Sequence, residues 1–282
     1  MKTTCPNTEE SVGMSKKTEN TNLPLIYYSL FEKFPEILAF TTTRRGGVSS
    51  GNYESFNLSE FSGDDIENVS TNRKLLCEKI DISENSLITP FQIHGDSILA
   101  IDKNFLSFDE EQKISSLNGK DALMTNLKGI CIAVSTADCV PLLVYDSVNK
   151  AIAVIHAGWR GTCSRIVEKT IRAMKSIYHS NPQNLLVAIG PSISPEVYEV
   201  GNELIPLFQK ANFDVNQIFR IKEKKLFLDL WKANQLILLK NGVDESRIEI
   251  IGKCTCSEPE TFFSARRQGI QSGRMLTGIL LQ

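Results

Sequence analysis

The sequence predicts an α+β fold in which mixed β-sheets are flanked by helices, a single domain over residues 23–282 preceded by a disordered tail over residues 1–22. Three observations predict it. Compact apolar runs at 129–134, 140–145, 151–156 and 185–189 have the length and β-branched content of buried strands. Segments with apolar residues at helical spacing occupy 66–80, 163–178, 196–210 and 230–241. The two kinds alternate irregularly, with hairpins mixed in, which favours mixed sheets over a regular doubly wound one.

The first 22 residues are rich in Ser, Thr, Asn, Glu and Lys and lack the apolar stretch of an export signal. Structure is expected from Leu23. Residues 37–43 (ILAFTTT) read as a strand, ended by the loop Arg44-Arg45-Gly46-Gly47. Val69, Leu75, Leu76 and Ile80 mark the helix 66–80. Residues 87–94 and 97–101 read as two short strands around Gly95-Asp96, a hairpin signal. The runs 140–145 and 151–156, joined by a polar five-residue connection, read as an antiparallel hairpin. Ile166, Val167, Ile171, Met174 and Tyr178 give the helix 163–178 one apolar face. Gly190-Pro191 ends the strand 185–189, and Asp229 precedes the helix 230–241 as its N-cap. A short strand at 248–251 leads into Cys254.

The formal net charge of −2 excludes a strong overall pull toward nucleic acid, while leaving room for a local basic pocket. No apolar run reaches the length of a membrane helix. Seven cysteines, an odd and scattered set, do not form a secreted disulfide framework, so a reducing cytoplasm is the expected setting.

Of the three histidines, His94 lies at the expected turn and His156 ends a strand before Ala157-Gly158-Trp159-Arg160-Gly161; His179, in a helix-ending segment, is assigned to the surface. If the hairpin is centred between Ser147 and Val148, Cys139 lies opposite His156, and such pairs hold their Cβ atoms about 4.5–5.5 Å apart on one face. His94, Cys139 and His156 are therefore candidate metal ligands. A thiolate with two imidazoles suits zinc, and three protein ligands leave a fourth position open for chemistry. The same set fits a blue-copper site less well, since no Met neighbours these residues, and a multicopper centre needs more than three histidines.

Seven segments resemble one family when taken in order. They are Thr42-Thr43-Arg44-Arg45-Gly46-Gly47-Val48-Ser49, Gln92-Ile93-His94-Gly95, Asp121-Ala122-Leu123, Ala137-Asp138-Cys139-Val140-Pro141, His156-Ala157-Gly158-Trp159-Arg160-Gly161-Thr162, Ile189-Gly190-Pro191-Ser192-Ile193, and Phe262-Phe263-Ser264-Ala265-Arg266-Arg267 ahead of Ser272-Gly273-Arg274. The chain resembles the YfiH family of bacterial proteins, related to the mammalian purine-metabolising protein FAMIN and often labelled polyphenol oxidase or laccase. The resemblance runs from about Leu23 to the C-terminus. It implies phosphorolysis of adenosine, inosine, guanosine and methylthioadenosine, adenosine deamination, zinc on His94, Cys139 and His156, and a fold similar to cysteine hydrolases. The chain departs from the family pattern at Cys254-Thr255-Cys256, where many members carry an aromatic after the Thr, and at Ala265, where an aromatic commonly precedes the two arginines.

Phosphorolysis requires a phosphate site. Arg44, Arg160, Arg266, Arg267 and Arg274 lie in loops containing Gly or Ser, and the guanidinium fork suits bidentate phosphate binding. Arg44, Arg160, Arg266 and Arg267, with Asn57, are the candidate substrate and phosphate contacts. Cys139, His156 and Asp138 are the candidate catalytic residues, Asp138 either orienting a ligand or acting as an acid–base group. Trp159 could stack on a purine or simply pack. Purine nucleoside and phosphate are the expected partners, without nucleic acid or membrane, and a monomer is favoured. Two other readings stand beside this one: a hydrolase with Cys139 as nucleophile and His156 as base, and a non-catalytic, cell-envelope-linked binding module.

Overall fold

The computed structural model describes residues 23–282; the tail expected over 1–22 lies outside them. Two mixed sheets lie face to face because their central strands carry apolar side chains on both faces. Strands are numbered in chain order. The first sheet runs Leu25–Tyr27 (β1), Ile37–Thr42 (β2), Met275–Leu281 (β14), Cys131–Thr136 (β6), Leu87–Ile88 (β3). The second runs Ile248–Ile250 (β13), Leu185–Ile189 (β9), Val140–Asp146 (β7), Ala151–Ala157 (β8), Ala122–Thr125 (β5), Ile98–Ala100 (β4). Glu199–Val200 (β10), Lys225–Leu228 (β12) and Phe219–Lys222 (β11) form a small third sheet.

Strand periodicity assigns each side chain to a layer. Leu143, Tyr145, Ile152 and Val154 point from the second sheet toward Ile132, Val134 and Ile279 of the first. Their neighbours Leu142, Val144, Ala153 and Ile155 point the other way, onto the helices Ile166–Tyr178 and Leu230–Lys240. Phe40, Ala133 and Leu280 cover the outer face of the first sheet against Leu76 and Cys77 of the helix Ile66–Lys79. The stack is therefore helix, sheet, sheet, helix. Truncating Leu143, fully buried between the sheets, to Ala would cost about 2–5 kcal/mol.

The predicted α+β class holds, and so does the β7–β8 hairpin. Three local expectations do not. Residues 87–101 form no hairpin: β3 pairs with β6 in one sheet and β4 with β5 in the other. Between them the Ile93, His94 and Gly95 N–H groups donate to the Asp121 carboxylate instead of to a strand. The helix expected at 163–178 begins earlier and is split into Trp159–Cys163 and Ile166–Tyr178 by Arg165, whose φ is +61°. In the region 196–210 only Leu204–Lys210 is helical, because Glu199 and Val200 pair with β12. Asp229 caps Leu230–Lys240 through the Lys232 N–H as expected.

Candidate metal centre

Cys139 stands one residue before β7, at the turn where Asp138 has φ +90°. That conformation costs a residue with a Cβ, and three hydrogen bonds hold it. The Asp138 carbonyl accepts from Ile193 N–H, and its carboxylate accepts from Thr255 Oγ1 at 2.7 Å and Arg266 N–H at 2.6 Å. The hairpin register pairs Pro141 with His156 and Val140 with Ala157, so it centres one residue later than expected. Continued outward, this register sets Cys139 opposite Gly158 rather than His156. The shift of two leaves Cys139 and His156 on the same face as diagonal neighbours. Gly158 gives the thiol its space: a Cβ there would lie 2.8 Å from Cys139 Sγ.

His156 is buried in β8, and its Nδ1 lies 2.7 Å from Asp121 Oδ1. Asp121, also fully buried, immediately precedes β5, the strand paired with β8. With its two oxygens taking His156 and the three N–H groups of the His94 loop, this one carboxylate locates both histidines. The His94 ring is exposed and meets His156 edge to face at 4.8 Å. One donor atom each from His94, Cys139 and His156 lies within 4.8 Å of the others. Zinc bonds of about 2.0–2.3 Å would draw these donors closer together, which the exposed His94 side chain can supply. With Nδ1 of His156 committed to Asp121, Nε2 is the nitrogen left for a metal.

The charges fit this reading. Burial opposes ionisation of Cys139, yet the charge and hydrogen bond of His156, followed by His94, pull its pKa down to about 6. Burial likewise opposes the His156 cation, but Cys139 and Asp121 together raise it to about 9. Asp121 is lowered: its burial acts upward, and His156 and the loop N–H groups outweigh it.

The donors line a cavity of about 620 Å³. Asp138, Arg266 and Arg274 line it, as do Tyr198, Trp159, Gln92 and the edge-to-face pair Phe61–Phe91, whose rings are 4.6 Å apart. The expected contacts divide. Arg266 reaches the cavity. Arg44 does not: it donates to the Glu54 and Pro259 carbonyls and lies over the Phe263 ring. Arg267 donates to the Cys256 carbonyl, also away from it. Arg160 is exposed and stacks on Trp159. Asn57 is fully buried beneath the wall, where its amide holds Ser62, Asp64 and the Arg274 backbone N–H; burial removes it from ligand contact. Trp159 does line the cavity, and His179 is exposed as assigned.

Asp121 was missed as a functional residue, although two histidines with a common metal require a partner for the second ring nitrogen. An acidic residue introducing the buried run Ala122–Thr125 was the available signal. Phe61, Phe91 and Tyr198 carried no such signal, being loop or strand-edge aromatics with ordinary neighbours.

These features define a class: an α+β protein with an open cavity lined by a His–Cys–His donor set. The chain belongs to the family described as multi-copper polyphenol oxidoreductase laccase, whose model matches residues 38–282. It is 43% identical over 259 residues to a purine nucleoside phosphorylase of Bacteroides thetaiotaomicron, covering 91% of this chain and 96% of that one. It is 39% identical over 244 residues to the adenosine deaminase RL5 of an unknown prokaryotic organism, covering 86% and 92%. The crystal structure of the hypothetical protein YfiH from Bacillus licheniformis superimposes with a TM-score of 0.84 at 27% identity, covering 94% of this chain and 98% of that one. The resemblance read from the motifs is thereby confirmed. Among the described residues the one group of donors suited to a metal is this set of three, fewer than a multicopper centre uses.

Proposed function

We propose that the chain is a zinc-dependent purine nucleoside phosphorylase acting on adenosine, inosine, guanosine and methylthioadenosine, with adenosine deamination at the same centre. One observation carries this reading: the open His94–Cys139–His156 set lines a cavity that aromatic rings and two arginines also line, of a volume suited to a small ligand. The names of the relatives support the same chemistry. Bound zinc would supply a Lewis acid at this donor set.

The chain's own residues do the rest. Asp121 fixes the His156 tautomer and the His94 loop. Phe61 and Phe91 offer rings to the base, and the lining arginines receive phosphate, so that binding geometry lowers the barrier. Asp138 acts as a positioning residue, its two oxygens engaged by Thr255 and Arg266. The six cysteines among the described residues are free, consistent with a reducing cytoplasm.

The test is incubation of zinc-loaded protein with adenosine, with and without phosphate, beside Cys139→Ala. Phosphate-dependent adenine release that is lost in the variant supports the proposal; inosine alone leaves a deaminase; unchanged adenosine, inosine and guanosine refute it. A second reading, a Cys–His hydrolase, draws on the thiolate–imidazolium pair of Cys139 and His156. Full activity after exhaustive chelation, with covalent trapping at Cys139, would favour it.

A further inference from the structure

Of the arginines in the loops that surround the site, Arg266 and Arg274 alone line the cavity. Both belong to one segment, which leaves the helix Ala265–Gln268 and returns into β14. Their guanidinium groups are held, but not by carboxylates. Arg266 Nη2 donates to the Glu199 carbonyl, and the guanidinium lies over the Tyr198 ring at 5.2 Å. Arg274 Nη1 donates to the Ser272 and Gly273 carbonyls and to Ser272 Oγ, and its Nη2 to the Ile270 carbonyl. Its backbone N–H is fixed by the buried Asn57.

Carbonyl and ring partners orient a guanidinium without neutralising it. Among the described residues neither arginine forms a salt bridge, and Arg266 Nε and Nη1 and Arg274 Nε have no protein acceptor. Two anionic groups of the site act on these arginines without pairing: the charges of the Cys139 thiolate and the Asp138 carboxylate both bear on Arg274, and an Asp138 oxygen accepts the Arg266 backbone N–H, yet neither hydrogen-bonds a guanidinium. Arg274 is also largely withdrawn from solvent, where a cation gains most from an anion because water competes less.

We infer that Arg266 and Arg274 form the subsite for the tetrahedral oxyanion consumed at this centre, inorganic phosphate, and that Arg44, Asn57 and Arg267 do not touch it. The inference rests on the phosphorylase reading for its ligand and on the cavity for its residues. Two preoriented forks suit a group with several equivalent oxygens. A phosphate carried on the nucleoside has the same chemistry, and the experiment separates the two sources.

Calorimetric titration of zinc-loaded protein with inorganic phosphate, and separately with adenosine monophosphate, is run on the parent, Arg266→Gln, Arg274→Lys and Arg44→Gln. Arg274→Lys keeps the charge and loses the fork, retaining only part of the carbonyl contacts; metal content and melting temperature verify that the loop still folds. Each variant in the pair should weaken phosphate about ten- to a hundredfold, the effect of one charge-assisted hydrogen bond. Arg44→Gln should bind phosphate like the parent, and adenosine affinity should be retained in all. Parent-like phosphate binding in both variants, no phosphate binding in the parent, or a loss confined to Arg44→Gln overturns the inference. Tight adenosine monophosphate binding combined with mutual exclusion of adenosine and phosphate also overturns it, by placing a 5′-phosphate there. If phosphate binds and the variants weaken it while no nucleoside is split, the subsite stands and phosphorolysis falls. Phosphorolysis with a phosphate KM unchanged in both variants gives the reverse.

Discussion

His156 Nδ1 lies 2.7 Å from Asp121 Oδ1, and the same carboxylate receives the His94 N–H at 3.0 Å, so one buried acid sets both imidazoles of the donor set. Asp121→Asn keeps the shape but removes the charge and turns one acceptor into a donor, facing N–H groups that are donors themselves. Metal affinity should fall about 10–100-fold, the usual effect of removing a carboxylate behind a metal-bound histidine. Competition against a chromophoric chelator reads it. Parent affinity in the variant would show that the histidines are positioned without this acid.

Gly158 tests the space around the thiol. An alanine Cβ there would stand 2.8 Å from Cys139 Sγ and 3.4 Å from His94 Cδ2. Gly158→Ala should displace the thiol, lowering both zinc stoichiometry and turnover by at least about tenfold, on the scale of a misplaced reacting group. Gly158 is also the buried N-cap of the helix Trp159–Cys163, so the melting temperature, read beside zinc content, separates loss of metal from loss of fold. Normal zinc content by elemental analysis would mean that the cavity yields more readily than the contact distances indicate.

Cys139 and His156 were legible as a candidate pair because the hairpin that carries them is regular, whereas His94 lies in an irregular loop with φ of +62°. The β7–β8 hairpin has a side-chain period of two, so a turn misplaced by one residue still leaves Cys139 and His156 on one face. The same tolerance did not extend to 87–101. There Gly95-Asp96 imitates a hairpin turn, and only the distant Asp121 explains why the N–H groups of 93–95 need no strand partner. The arginines show the limit from another side. Arg44 and Arg266 share composition and loop context, and tertiary placement alone sends one to the Glu54 and Pro259 carbonyls and the other into the cavity. The helix expected at 196–210 failed because Tyr198 and Val200 pack on the core with the period of a strand, which a window set on helical spacing overlooks.

In metal-free protein the site should titrate in two steps. The pKa of Cys139 is lowered to about 6, so its stabilisation is present above the ordinary thiol value of about 8.5 and is lost as pH falls through 6. That of His156 is raised to about 9, so its stabilisation is present below the ordinary value of about 6.5 and is lost as pH rises through 9. The pair is jointly charged between these limits. Iodoacetamide modification of the Cys139 peptide, followed by mass spectrometry, should rise with a midpoint near 6, and His156→Ala should move that midpoint upward. A midpoint near the ordinary thiol value in the parent would rule out the ion pair.

Asn57 should behave as a structural residue. Its side chain is fully buried, donating to Ser62 Oγ and Asp64 and accepting the Arg274 N–H at 2.9 Å. Asn57→Ala strands these partners, each at about 1–3 kcal/mol, which lowers the melting temperature by several degrees. Because Arg274 loses its backbone anchor, the KM for phosphate should rise while that for adenosine holds. An unchanged melting temperature together with a higher adenosine KM would instead return Asn57 to direct substrate contact.

Phe61 and Phe91 meet edge to face at 4.6 Å on the cavity wall, yet they are 57% and 40% exposed, an arrangement that burial does not explain. Exposed aromatic rings beside a cavity gain their energy from what stacks on them, about 1–3 kcal/mol per base. Phe61→Ala should therefore raise the KM for adenosine about tenfold or more. The KM for phosphate should be unaffected, since Arg266 and Arg274 do not depend on Phe61 for any hydrogen bond. Turnover at saturating adenosine should stay within a few-fold of the parent if the ring binds ground state and transition state alike. Stability should hardly move, because little apolar surface is buried by this side chain. A parallel loss of turnover with unchanged KM would show that the ring acts on the reaction's progress rather than on base binding, and the base would then have to be sought against Trp159 or Tyr198.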